Sequence, residues 1–91
     1  MTDIEILQQP FTLPCGAILS NRFCKSAMSE NMADSGGKPS KKIHHLYDRW
    51  SHSGAGLIIS GNVMIDKRAL GEKNNVYVED ESSMKELKEW A

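Results

Sequence analysis

"IHHLYDRWSHSGAGLIISG", residues 43–61, holds two different periodicities joined by a glycine turn. In its first half Ile43, Leu46, Tyr47 and Trp50 recur at i, i+3, i+4 and i+7, which puts them on one face of a helix. Ser40, directly behind Pro39, is the expected N-cap and Gly54 the expected C-cap, bounding a helix over about 40–52. In the second half "GLIISG" is an unbroken apolar run of strand length, which predicts a strand over about 56–60. A strand with one wet face alternates apolar and polar residues. A continuous run implies that both faces are covered, as in a parallel sheet flanked by helices. A helix that passes so quickly into such a strand reads as the later half of a βαβ unit.

Working outward, "RFCKSAM" supplies the first strand of that unit, expected over about 22–27, with Asn21 available for the turn before it. Upstream, "FTLPCGAIL" sets two short apolar pieces on either side of Pro14-Cys15-Gly16, which predicts a hairpin over about 11–19. Residues 29–39 read as a loop. Residues 61–81 read as a long polar connection with a short extended piece at "NVYVE". Ser83 and Glu86 have capping-box spacing, and Met84, Leu87 and Trp90 begin an apolar helical face over about 83–91. The helix-to-strand connection is therefore short and the strand-to-helix connections long. In parallel α/β folds ligands and reactive groups sit on the loops beyond the carboxyl ends of strands. Ser26–Ser29 lie at such an end. An eight-fold barrel needs ~250 residues, so the expectation is a single truncated domain: an N-terminal hairpin plus the first βαβ portion of a (β/α)8 TIM barrel, with open strand edges.

Composition excludes several function classes. Of the 91 residues 40 % are hydrophobic and 25 % charged, with a net charge of −1, an ordinary globular balance without the basic excess of a dedicated nucleic-acid surface. No apolar run approaches the ~18 residues needed to cross a bilayer. "MTDIEILQQP" has acids where a signal peptide has a basic start and an apolar core. Cys15 and Cys24 match no metal or redox spacing and read as free thiols of a reducing compartment, so a cytoplasmic location is expected.

Several tempting motifs have structural explanations. A dinucleotide fingerprint needs its glycines after a strand and at a helix start; Gly54 and Gly56 precede the strand and fit a helix stop and close helix–strand packing. His44, His45 and His52 lie on or near the helix with no HExxH pattern, and read as surface or boundary residues. Asp34, Asp66 and Asp80 lack calcium-loop spacing, and Glu79-Asp80-Glu81 suits a helix N-terminus. Cys24 reads as a small buried strand residue. No catalytic or metal-ligating residue is assigned. The remaining candidate is Ser26–Ser29, whose small side chains would let a flat ligand lie against strand backbone, with Ser29 adding a hydroxyl.

The ordered set "LSNRFCKSAMSENMAD", "LYDRWSHSGAGLIISGNVMID" and the Gly71 region resembles the Old Yellow Enzyme family of FMN-dependent NAD(P)H:flavin oxidoreductases, over roughly residues 7–80. Each motif alone is weak; their order is specific. The resemblance implies an eight-fold barrel closed at its bottom by the hairpin. It implies that Ser26, Ala27, Met28 and Ser29 form the bed under the flavin ring, Ser29 beside the flavin O4, and that Asn62 faces the flavin's polar edge. Ala27 stands where Pro is common. It further implies FMN as cofactor, NAD(P)H as electron donor, and an ene-reductase type of reaction with an electron-poor alkene or similar small molecule as acceptor. Nucleic-acid and membrane partners are not expected, and a homo-oligomer is compatible with the intact enzyme. Residues 1–91 by themselves are expected to be inactive. The competing expectations are a truncated non-catalytic remnant and a barrel enzyme of another cofactor class.

Overall fold

Thr2 opens the first helix through a capping box: its hydroxyl accepts from the Glu5 amide at 3.2 Å, and the Glu5 carboxylate accepts from the Thr2 amide at 3.0 Å. The resulting α1, Asp3–Leu7, had no counterpart among the expected elements, although the Thr2–Glu5 spacing carries the signal. The computed structural model describes residues 1–91 throughout. Strands β1 (Phe11–Thr12) and β2 (Ile18–Leu19) pair antiparallel across the turn at Pro14-Cys15-Gly16, where Gly16 adopts φ +95°. Left-handed backbone of that kind strains any residue with a Cβ, which explains the glycine.

The βαβ unit follows. β3 (Cys24–Lys25) and β4 (Leu57–Ile58) are parallel neighbours in the register Cys24–Leu57 and Lys25–Ile58, and α2 (Lys41–Ser51) makes the crossover. Both strands are shorter than the 22–27 and 56–60 expected. Ser40 caps α2 by accepting from the Ile43 amide. The helix closes at His52, whose N–H donates to the Arg49 carbonyl while the Ser53 N–H donates to that of Trp50, and not at Gly54. Gly54 instead turns the chain at φ +90°, two residues later. Gly56 also has a role other than helix–strand packing: a Cβ there would stand 2.6 Å from the Asn21 carbonyl oxygen. Asn21 is a clamp between the two strand entrances. Its side chain donates to Gly54 O at 2.7 Å and accepts from the Phe23 and Gly56 amides, both at 2.9 Å.

Residues 61–81 are not a plain connection. β5 (Val63–Met64) and β6 (Val76–Tyr77) pair in parallel, and β6 is the extended piece expected at "NVYVE". Asp80 caps a 3-10 turn over Glu81–Ser83 by accepting from the Ser82 amide at 2.8 Å. That turn leads directly into α3, Met84–Trp90. The Ser83–Glu86 capping box does not form, because Ser83 makes no side-chain cap bond and Asp80 has taken the helix-starting role.

Packing centres on α2. Ile43 is fully buried, and Tyr47 lies edge-on to Trp50 at 5.0 Å and to Trp90 of α3 at 5.4 Å. The Lys25 ammonium sits 4.7 Å above the Trp50 ring, tying β3 to the helix. The opposite faces of the strands are open. Leu57 is 39 % and Ile59 44 % exposed, so the expectation of a β4 covered on both faces is corrected: α2 covers one face and nothing within residues 1–91 covers the other. Cys24, expected to be buried, is exposed on β3 for the same reason, and both cysteines are free. The three two-stranded sheets are separate, and no closed barrel is present. No helix is long and apolar enough to cross a membrane.

Candidate cofactor-binding site

The parallel ladder ends where the Ile59 amide donates to Lys25 O at 3.1 Å. Beyond that bond the two chains run on side by side as Ser26–Ser29 and Ser60–Asn62. Ser26, Ala27, Met28, Ser29 and Asn62 are all exposed, at neighbouring carboxyl ends. Their backbone N–H groups donate to no acceptor within the chain. Backbone donors left unpaired at the end of a sheet are satisfied by water or by a ligand. The stretch is thus a small-residue shelf with a row of free donors.

Glu30, Tyr47 and Gly61, which sequence reasoning passed over, hold that shelf together. The Tyr47 hydroxyl donates to the Glu30 carboxylate. The buried Gly61 amide is shared between Glu30 Oε1 at 3.0 Å and Tyr47 Oη at 3.1 Å. Gly61 has no room for a side chain, since a Cβ would meet Met28 O at 2.2 Å. These three residues belong to the loop after β3, the middle of α2 and the loop after β4, so no local pattern in the sequence joins them.

Burial pushes the Tyr47 phenol up to about 12. The Glu30 carboxylate acts in the same direction, as acceptor and as a nearby negative charge, while the Gly61 amide opposes it. The folded value lies above the ordinary 10.0, so the protonated Tyr47 phenol stabilises the fold fully below about pH 10 and that contribution is lost as pH rises through about 12. The Tyr47 ring resonances are expected to titrate near pH 12. In Glu30→Gln the midpoint should move down toward the ordinary value; an unmoved midpoint would remove Glu30 as a cause.

A second network fixes the far side of the shelf. Ser29 Oγ donates to Asn31 Oδ1 at 2.9 Å, and Asn75, 3 % exposed, donates to the same oxygen at 3.3 Å. Asn31 donates to the Glu72 carboxylate at 3.1 Å, and the Ala33 amide donates to Asn74 O at 3.0 Å. The loop after β3 is therefore bound to residues 72–75. A hydroxyl carries one proton, and that of Ser29 is committed to Asn31.

The histidines lie elsewhere. His44 Nε2 is 3.1 Å from Glu86 O of α3, His52 Nδ1 is 2.7 Å from Asp48 O, and His45 is exposed. A cleft of about 590 Å³ lies between α2 and α3 and is lined by Tyr47, Ile58, Ser60, Val63, Leu87 and Trp90 among others. It is a seam on the helix side of β4 that reaches Ser60 but none of Ser26–Ser29 or Asn62.

No protein-family model matches the chain. The NADH-dependent flavin oxidoreductase iliE of Hypocrea jecorina (strain QM6a) is 43 % identical over 74 residues, covering 81 % of this chain and 18 % of that protein. The NADH-dependent flavin oxidoreductase iccE of Talaromyces variabilis is 30 % identical over 95 residues, covering 100 % of this chain and 23 % of that protein. Among solved structures, the old yellow enzyme from Trypanosoma cruzi superposes with a TM-score of 0.79 at 21 % identity, covering 98 % of this chain and 23 % of its own. The chain belongs to the Old Yellow Enzyme family. Morphinone reductase shares the fold as well, with a TM-score of 0.78 at 21 % identity over 92 % of this chain and 21 % of its own. The chain thus spans about a fifth of the length of the Old Yellow Enzyme relatives it matches.

Proposed function

We propose that residues 1–91 carry part of the flavin bed of an FMN-dependent oxidoreductase of the Old Yellow Enzyme type. In this reading the β3–α2–β4 unit opens an eight-fold β/α barrel whose bottom the β1–β2 hairpin closes. Ser26, Ala27, Met28, Ser29 and Asn62 contact the cofactor, and the setting is cytoplasmic. The observation that carries the reading is the row of unpaired backbone N–H groups on small, exposed residues at adjacent carboxyl strand ends. A flat ring with a carbonyl-rich rim fits such a shelf, because it needs close approach to backbone and donors along one edge.

Bound FMN supplies the route by which a hydride passes from NAD(P)H to an electron-poor alkene or similar acceptor. The chain's own part is to orient. The Ala27, Met28 and Ser29 amides donate along the shelf, Asn62 offers an amide side chain that makes no hydrogen bond within the chain, and Met28, 49 % exposed, presents an apolar surface. Ser29 contributes a lone pair as long as its proton stays on Asn31. To donate to a flavin oxygen it must release that bond.

The test uses the product of the complete coding sequence. Under anaerobic conditions NADH should bleach its flavin absorbance and a cyclic enone should restore it, with parallel-line steady-state kinetics. A purified protein without flavin, and without affinity for added FMN, would overturn the reading.

A further inference from the structure

We propose that Glu30 and Tyr47 are a positioning pair for the cofactor shelf, acting through the backbone at Gly61. The inference rests on the flavin-bed reading and adds two residues that touch no part of the shelf's open surface. β3 and β4 pair over only two residues each, and their ladder stops at Ile59. Past that point the spacing between Ser29 and Asn62 depends on something other than strand pairing. The groups that span it are the Glu30 carboxylate, one residue after Ser29, and the Gly61 amide, one residue before Asn62, with the Tyr47 hydroxyl bonded to both.

The arrangement is rigid for three reasons. The Tyr47 ring is wedged between Trp50 and Trp90 and under the Lys25 ammonium, so its hydroxyl has a fixed position. Glu30 Oε1 accepts from two donors, and hydrogen bonds to a charged acceptor are the stronger kind. A Cβ added at Gly61 would stand 2.2 Å from Met28 O, so the two loops leave no room between them there. Released from the pair, they can only separate, and a flat ligand lying across both would lose one of its two supports.

The test measures FMN affinity and amide exchange at Gly61 in the product of the complete coding sequence, wild type against Tyr47→Phe, Glu30→Gln and Glu30→Ala. Tyr47→Phe keeps both aromatic edge contacts, which guards against a variant that fails to fold. Glu30→Gln keeps an oxygen able to accept from the hydroxyl and from the amide, which makes it the rescuing variant. Tyr47→Phe and Glu30→Ala should accelerate Gly61 exchange and weaken FMN binding, by about tenfold in Glu30→Ala. Glu30→Gln, which keeps the acceptor oxygen but not its charge, should lie between wild type and Glu30→Ala in both. Wild-type affinity in both Tyr47→Phe and Glu30→Ala would overturn the pair's role, as would Glu30→Gln binding as weakly as Glu30→Ala. Absence of FMN binding by wild type would overturn the flavin-bed reading and this proposal with it; slow, variant-sensitive exchange at Gly61 would then show that the brace exists but serves another purpose.

Discussion

Residues 1–91 prepared alone are expected to self-associate and to melt without a sharp transition. Only Ile43 and Val76 form a buried apolar core, while Ile4, Phe11, Ile18, Phe23, Leu57, Ile59 and Ile65 are exposed. The accessible surface is 6645 Å² for 10.2 kDa, against ~5300 Å² for a folded monomer of that mass. The radius of gyration is 15.6 Å, against ~12 Å for a compact chain of this length. Hydrophobic burial on this scale does not offset the chain entropy of ordering. Each of the three two-stranded sheets also has free edges, which recruit other strands. Sedimentation velocity over a range of concentrations, combined with thermal circular dichroism, checks this. A monomer with a cooperative, concentration-independent transition would contradict it.

Gly61→Ala is expected to be the most damaging single substitution near the shelf. The new methyl carbon would stand 2.2 Å from Met28 O and 2.4 Å from Glu30 Oε2. Neither can be satisfied by a small rotation, since one is backbone and the other is held by Tyr47. The loops after β3 and β4 must separate, at a cost of at least the ~1–3 kcal/mol usual for overpacking. In the product of the complete coding sequence both the urea midpoint and the flavin content should fall. Gly16→Ala serves as the control: its cost is confined to the left-handed turn of the hairpin, with nothing within 4 Å of the added carbon, so flavin content should hold. Gly61→Ala with full flavin content would show that the loops do not set the shelf.

Much of this was legible in the sequence, for local reasons. α2 follows from the Ile43–Trp50 periodicity and from Ser40, and the hairpin from a Pro and a Gly two residues apart. β6 was visible only as the extended piece at "NVYVE", and β5 and its pairing with β6 were hidden because each strand pairs over two residues across a polar stretch with no alternation. The open face of β4 was misread because a continuous apolar run states what a strand needs, not what residues 1–91 supply. The shelf could be located from the small residues after β3. The Glu30–Tyr47–Gly61 brace could not, since its members meet only after α2 has folded back and the strands have paired.

The central claim is that the carboxyl ends of β3 and β4 lie against the flavin. It is tested most directly by titrating FMN into the flavin-free product of the complete coding sequence, labelled for amide and methyl nuclear magnetic resonance. The account predicts that the amides of Ala27, Met28, Ser29 and Asn62 shift together, with nuclear Overhauser contacts from the flavin ring to the Ala27 and Met28 methyls. Contacts mapping instead to the cleft between α2 and α3, at Leu87 and Trp90, would contradict it.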